Sequence, residues 1–372
     1  MNTTFVMDTE HNASNILINN EERSLSTILL AAKTMRTVFI PLIVVIGLCG
    51  NTLSLMVFSA QSMRRSSCSV FLASLAAVDN TFLVNLLFTW IDGEMVTIIS
   101  TDILCQVLIY FTYVTSFLSV WFVVGFTCER YIAICFPLKR TFLCSVKREK
   151  IAVVALILAA FGLYNFSLWT SGMQQFGPKL KCSLKKEYFQ VLNIVTWIDT
   201  LLTMVIPFVI IIIVNSLVLR TIIQGSLKSN ALSRKSSFAQ KKVGSFVILE
   251  TMKKTFCKPT NPQIRVTRTL IMVSMTFLCL NLPSHAIRLC NLFSSVMSKQ
   301  QTISEEYFLL QEVTLVLYYL TFSCNFVLYT LFGRNFKTSL MLILKCRSYT
   351  DERRRLILGR LSSNNSNTTH LV

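Results

Sequence analysis

The stretch ILCQVLIYFTYVTSFLSVWFVVGFTCERYIAICF, residues 103–136, carries no charged side chain until Glu129 and Arg130. About 20 apolar residues suffice to cross a ~30 Å hydrocarbon core, so the run predicts a membrane-spanning helix. Glu129 and Arg130 fall in its last turns, where a charge pair is costly unless it serves a purpose. Tyr131, Ile132, Ala133 and Ile134 then resume the apolar pattern.

Six further apolar blocks flank this one, at about 38–60, 66–91, 151–170, 191–223, 264–293 and 307–332. Asp79 and Asn85 interrupt the second, whose length still favours a span. The chain is 53% hydrophobic and 15% charged, with a mean hydropathy of +0.57, far more apolar than a soluble globule. The predicted fold is an all-α membrane protein, a bundle of seven transmembrane helices. A short amphipathic eighth helix is expected in "LFGRNFKTSLMLILK", residues 331–345, lying along the inner membrane surface.

Charge sets the orientation. With the amino terminus outside, the inner loops and tail hold 23 of the 36 Lys and Arg residues against four acids, and the outer segments hold eight against ten. The positive-inside rule therefore predicts an extracellular tail at 1–37, a transmembrane domain at 38–332 with a third cytoplasmic loop at about 224–263, and a cytoplasmic tail at 333–372. The net charge of +18 is then almost wholly cytoplasmic. Those cations fix topology and touch anionic membrane lipids, or dock a partner; no nucleic acid is expected. No basic-then-apolar leader precedes the first block, which is expected to act as its own insertion signal. Asn2 and Asn12 lie in glycosylation sequons on the outer side.

Most of the twelve cysteines fall inside spans or on the inner side, where thiols stay reduced. Cys105 and Cys182 share the outer, oxidising side. A disulfide between them is expected, and it would pin the second outer loop over the mouth of the bundle; two unrelated thiols are the alternative. Within the spans, Asp79, Asn51, Ser119 and Asn325 lie at comparable depth. They either satisfy one another as interhelical glue or form an ion- or water-filled relay. No paired-carboxylate, Cys/His metal or Ser/His/Asp arrangement stands out, and His11, His285 and His370 are scattered. Neither an enzyme nor a metal centre is suggested.

"CERYIAICFPLK" resembles the Asp/Glu-Arg-Tyr end of the third helix in rhodopsin-like G-protein-coupled receptors. Cys105 precedes Arg130 by 25 residues, as in that family. "GN" at 50–51, "SLAAVD" at 74–79, Pro137-Leu138, Pro207, Phe277 with Pro283, and "NFVLY" followed by "FGRNFK" match it in order. The resemblance implies a receptor that passes an extracellular signal to a heterotrimeric G protein, with arrestin and a receptor kinase as further partners. It implies that Glu129, Arg130, Tyr131, Pro137 and Leu138 serve coupling, Glu129 holding Arg130 at rest. It places an activation relay, with a sodium ion at Asp79 as the one cofactor, at Asn51, Asp79, Ser119, Asn325 and Tyr329, and a packing switch at Val120, Pro207, Phe277 and Pro283.

Departures from the family pattern are also plain. Leu280-Asn281-Leu282-Pro283 replaces Cys-Trp-x-Pro, Phe326 replaces the proline of Asn-Pro-x-x-Tyr, and Asn215 stands where the fifth helix has tyrosine. Fewer kinks are expected. Thr112, seven residues after Cys105, stands where amine receptors carry aspartate, and residues 307–332 hold no lysine for a retinal Schiff base. The expected ligand pocket comprises Asp92, Thr112, Tyr113, Asp199, His285, Arg288, Glu312 and Tyr319. Glu312 and Tyr319 are placed by helical spacing on one inward face. With a second outer loop carrying Lys179, Lys181, Lys185 and Lys186, these groups suit a peptide with separated charges.

"SCNFVLYTLFGRNFK" looks most like invertebrate receptors for amidated peptides of the FMRFamide type. A plasma-membrane neuropeptide receptor is therefore expected. A chemosensory receptor of the same fold for a small ligand, or a membrane transporter, is the alternative. Cys346 is a candidate palmitoylation site, and Ser362, Ser363, Ser366, Thr368 and Thr369 are candidates for phosphorylation.

Overall fold

The computed structural model describes residues 4–61, 63, 66–176, 179–239, 261–296 and 305–345. In chain order the helices are α1 (Thr4–Ser59), α2 (Cys68–Glu94), α3 (Asp102–Cys135), α4 (Pro137–Leu143), α5 (Val146–Leu163) and α6 (Ser167–Thr170). A hairpin of β1 (Ser171–Phe176) and β2 (Lys179–Leu184) follows. Then come α7 (Phe189–Thr200), α8 (Ile206–Ala239), α9 (Asn261–Val296), α10 (Glu305–Thr321), α11 (Asn325–Phe332) and α12, residues 334–345.

Among the described residues, six segments are long and apolar enough to cross a membrane: Leu30–Ser59, Cys68–Glu94, Asp102–Cys135, Val146–Thr170, Lys186–Gln224 and Val266–Ser294. The α10–α11 pair, bent by 54°, makes a seventh. Leu42, Val45, Val154, Leu158, Ile212 and Ile213 are exposed on their outer faces, an apolar surface that lipid would cover and water would not tolerate. Inside, α3 is central. Its Phe122 and Phe126 are fully buried, and a Cβ on Gly125 would meet Phe71 Cε1 at 2.6 Å, so α2 and α3 touch through a position that accepts no side chain.

Two boundaries and one bend differ from what the sequence predicts. α1 continues back from residue 38 to Thr4, and its apolar part opens at Leu30. Leu, Ala, Glu and Arg dominate residues 21–36 and favour helix despite their polarity. At the inner side α8 runs on to Ala239, well past 224. Residues 240–260 of the loop expected at about 224–263 lie outside the described residues, as do Asn2, Cys346, Ser362, Ser363, Ser366, Thr368, Thr369 and His370.

The third difference concerns bending. Losing the proline at 326 does not straighten the seventh span. Phe322 and Ser323 donate to Tyr319 and Leu320, three residues back, at 3.2 and 3.1 Å. Ser323 Oγ and Cys324 Sγ donate to the carbonyls of Leu320 and Thr321. Local side-chain bonds of this kind compete with the helical ladder, so Thr321-Phe322-Ser323-Cys324 breaks the helix without a proline.

The fifth span bends by another route. Residues Leu201–Val205 form one widened helical turn between α7 and α8. Ile206 N–H reaches back to Leu201 O, and Pro207 has no N–H to give. The carbonyl of Leu202 is thereby released, and it accepts from Trp121 Nε1 at 3.1 Å.

Candidate functional site

The polar side chains inside the bundle fall into three levels. At the outer end Cys105 and Cys182 form a disulfide, with Cα atoms 5.4 Å apart. It ties β2 to the start of α3. Asp102 adds a second tether, accepting from Met173 N at 2.7 Å.

Beneath this hairpin Asp199 is buried, and its two oxygens are both engaged. Tyr164 OH donates to Oδ1 at 2.6 Å and Arg288 pairs with Oδ2. Tyr113 stacks on Tyr164 with centroids 5.4 Å apart. His285 lies edge-on to Phe208 and Tyr318, with its buried Nε2 unpartnered among the described residues. Tyr318 OH donates to Ser116 Oγ at 3.0 Å, bridging α10 to α3.

A second outer cluster is built on Arg36, which pairs with buried Glu312 and whose carbonyl accepts from Trp90 Nε1 at 3.2 Å. Tyr319 packs beside it on Phe82. Glu312 and Tyr319 do share a face, but it turns toward α1 and α2, and the adjacent Tyr318 reaches the centre. Asp92 is used differently from the expectation: its Oδ1 accepts from the backbone of Ile98 and Ile99 at 2.8 and 2.7 Å, shaping the first outer loop. Thr112 bonds its own helix at Leu108 O.

At the middle level Asp79 is fully buried and accepts from Ser119 Oγ and Asn325 Nδ2, each at 2.8 Å. Asn51 Nδ2 donates to Phe322 O at 2.8 Å, the carbonyl freed by the break in the seventh span. Asn51 Oδ1, Ser54 Oγ and Tyr329 OH are buried without a protein partner among the described residues. Such groups are satisfied by water or an ion in native interiors. Val120 and Phe277 are buried in the same central core, with Phe277 edge-on to Phe208 at 6.3 Å; Pro207 is buried beside Phe208 in the chain, and Pro283 lies inside α9. The departures acquire specific partners: Asn281 donates to Phe277 O and to Thr321 Oγ1, joining α9 to α10, and Asn215 donates to Ser274 Oγ at 2.8 Å, joining α8 to α9.

At the inner level Glu129 and Arg130 are both buried and paired, with Arg130 Nη2 and Nε at 2.6 and 3.1 Å from Glu129 Oε2. Ser67 Oγ donates to the other oxygen at 2.5 Å. Tyr131 packs edge-on against Phe136, Pro137 opens α4, and Leu138 projects from it 85% exposed. Held this way, the guanidinium is paired and buried within the bundle. Residues 50–329 match the family described as 7 transmembrane receptor (rhodopsin family).

The chain belongs to that family.

The receptor is similar to the thyrotropin-releasing hormone receptor of Gallus gallus, 24% identical over 92% of this chain and 86% of the relative. It is similar to the QRFP-like peptide receptor of Branchiostoma floridae, 24% identical over 85% of this chain and 79% of the relative. It is also similar to the FMRFamide receptor of Drosophila melanogaster, 23% identical over 89% of this chain and 58% of the relative. The protein is thus a multi-pass membrane receptor of the G-protein-coupled class and not a transporter or an enzyme. Several receptor residues that carry the geometry escaped the sequence reading: Arg36, Ser67, Ser116, Trp121, Tyr164 and Tyr318. Trp121, Tyr164 and Tyr318 left a trace in sequence, as an indole and two phenols inside apolar runs whose polar atoms need a partner when buried.

Proposed function

We propose that the receptor binds an amidated peptide beneath the disulfide-pinned hairpin and couples to a G protein through Arg130. The observation that carries the ligand half of this reading is the Tyr164–Asp199–Arg288 group. Asp199 is 6% exposed at its side chain, whereas Arg288 is 32% exposed. The charge open to a ligand is therefore the guanidinium. It suits a carboxamide or backbone carbonyl, with the Tyr113–Tyr164 stack as a surface for an aromatic side chain.

This alters what an FMRFamide-type ligand would contribute. Glu312 and Asp199 already hold Arg36 and Arg288. A ligand arginine would replace one of these like for like and gain little, so the amide and the aromatic ring are the parts that bear affinity. The names of the relatives support a peptide, and the basic second outer loop is compatible with one. A screen of amidated peptides and their free-acid forms, read by calcium and cyclic AMP, tests the reading. Activation by small odorants alone, with expression in sensory cilia, would replace it with a chemosensory receptor.

We infer further that the amino terminus is extracellular, on the asymmetry of Lys and Arg, and that the receptor resides at the plasma membrane, where a peptide outside the cell would reach it. A sodium ion at Asp79 is supported by the chemistry of the donor set: a buried carboxylate with no cationic partner among the described residues, beside Ser119 and Asn325. Bound there, sodium would supply the missing positive charge, while Ser119 and Asn325 hold the carboxylate in place. Arrestin and receptor-kinase partnership rests on the serines and threonines of the tail. In α12, Phe336 and Leu340 are buried while Met341, Leu342 and Leu344 are exposed, and that apolar strip is suited to lie on inner-leaflet lipid.

A further inference from the structure

We propose that Glu129, Cys144 and Glu149 form a zinc site at the cytoplasmic end of the bundle. The three come from different elements: the last turns of α3, the end of the α4 segment and the first turn of α5. Their candidate ligand atoms, one sulfur and two carboxylate oxygens, all lie within 4.8 Å of one another. Bond lengths of about 2.0–2.3 Å put the ligands of a tetrahedral zinc roughly 3.3–3.7 Å apart, so closure needs shifts of about an ångström.

Glu149 is the reason to look for a ligand. Its residue is 7% exposed, yet among the described residues its carboxylate makes no hydrogen bond or ion pair. Glu129 differs, for Ser67 and Arg130 satisfy and orient it. Among the described residues Arg130 alone pairs with these carboxylates, and it pairs with Glu129; Arg140 acts on Cys144 and not on Glu149, so Glu149 is left without a cation of its own. A divalent ion restores the balance once the Cys144 thiol has released its proton to solvent. Cys144 is half-buried and not disulfide-bonded; on the reducing side it is a free thiol, and a metal that binds it must displace its proton.

Sulfur in the set selects zinc over magnesium or calcium, which take oxygen ligands. Ser67 and Arg130 act as the outer partners that hold the first ligand. Three protein ligands leave one position for water. The site also has a functional consequence. Zinc and Arg130 share Glu129, so metal occupancy loosens the grip on Arg130 and ties α4 and α5 to α3. This extends the coupling role proposed above but does not depend on the identity of the agonist.

The test uses the full-length protein in lipid nanodiscs under a non-chelating reductant. Cobalt is titrated as a visible substitute and then displaced by zinc. The parent should bind one cobalt per chain with a thiolate-to-metal charge-transfer band that zinc abolishes. Cys144→Ser should lose the band, and Glu149→Gln should weaken zinc at least tenfold. Cys279→Ser, which changes an exposed cysteine of α9, should change neither.

Zinc should also raise the melting temperature of the parent and not of Glu149→Gln. That isosteric change removes an unpaired charge and is expected to keep the fold if Cys144→Ser does not. An unchanged band in Cys144→Ser, equal zinc stabilisation of parent and Glu149→Gln, or no saturable metal binding would each overturn the site. Loss of the zinc site with intact agonist signalling would leave the coupling role of Arg130 untouched.

Discussion

Gly50 faces Phe326 with no room for a side chain of its own: a Cβ there would lie 2.8 Å from Phe326 Cβ and 3.1 Å from its Cγ. Phe326 stands where the family carries proline, and the ring is seated in the gap that the glycine leaves on α1. The close approach also brings Asn51 to the Phe322 carbonyl at the break. Gly50→Val should therefore push α1 away from α11, an overpacking cost of about 1–3 kcal/mol. Surface abundance measured by flow cytometry should fall several-fold, and Phe326→Gly in the same chain, which removes the Cβ as well as the ring, should recover part of it. Normal abundance of Gly50→Val would show that the contact yields freely.

The inner pair makes a signed prediction. Arg130→Ala removes the group expected to meet the G protein but leaves the outer clusters intact, so agonist-stimulated signalling should fall at least tenfold while agonist binding stays within about twofold. Glu129→Gln should act oppositely and raise basal signalling, because it releases Arg130 without removing it. Breaking a buried pair by deleting one partner typically costs about 3–5 kcal/mol, so thermal stability should drop in both variants. A silent Arg130→Ala would mean that the receptor couples by another surface.

At Asp79 the measurement is sodium titration of agonist binding. If a cation occupies the relay, sodium should lower agonist affinity in the parent and have no effect in Asp79→Asn. A parent insensitive to sodium would leave Asp79 as a hydrogen-bond acceptor for Ser119 and Asn325, with water satisfying Asn51, Ser54 and Tyr329.

For the disulfide, Cys105→Ser and Cys182→Ser should each lose surface receptor, and the double variant should be no worse than either. Removing such a bond costs about 2–5 kcal/mol in small secreted domains. Additive losses would show that each thiol has a separate role.

What was legible in the sequence follows from range. Seven apolar runs, the Cys105–Cys182 bond and the Asp79 group depend on composition, topology or a family pattern carried by single residues. The Glu129–Arg130 pair depends on neighbours in the chain. Partnerships such as Arg36 with Glu312 or Tyr164 with Asp199 were not legible, because they join spans across the bundle and depend on rotation about each helix axis. Glu312 and Tyr319 show this well. Their spacing gave a common face correctly, but spacing says nothing about which neighbour that face meets. Cys144 and Glu149 were invisible for the same reason, being a loop thiol and a first-turn acid until α3 supplies Glu129.

The last prediction turns on Arg288. If its exposed guanidinium donates to the amide end of the peptide, Arg288→Gln should cost about 1.5–3 kcal/mol, the range for a hydrogen bond to a charged group, or roughly tenfold to a hundredfold in agonist potency. The free-acid peptide should bind the parent with altered affinity and lose its difference from the amide in the variant. Replacing an arginine in the peptide by neutral citrulline should change potency by less than threefold, since the acids of the receptor are already paired. Asp199→Asn should hurt by a different path: Arg288 loses its anchor and Tyr164 its acceptor, so affinity falls for every peptide alike. If citrulline instead abolishes activity and Glu312→Gln or Asp199→Asn restores it, the ligand's cation displaces Arg36 or Arg288, and the acids rather than Arg288 recognise the peptide.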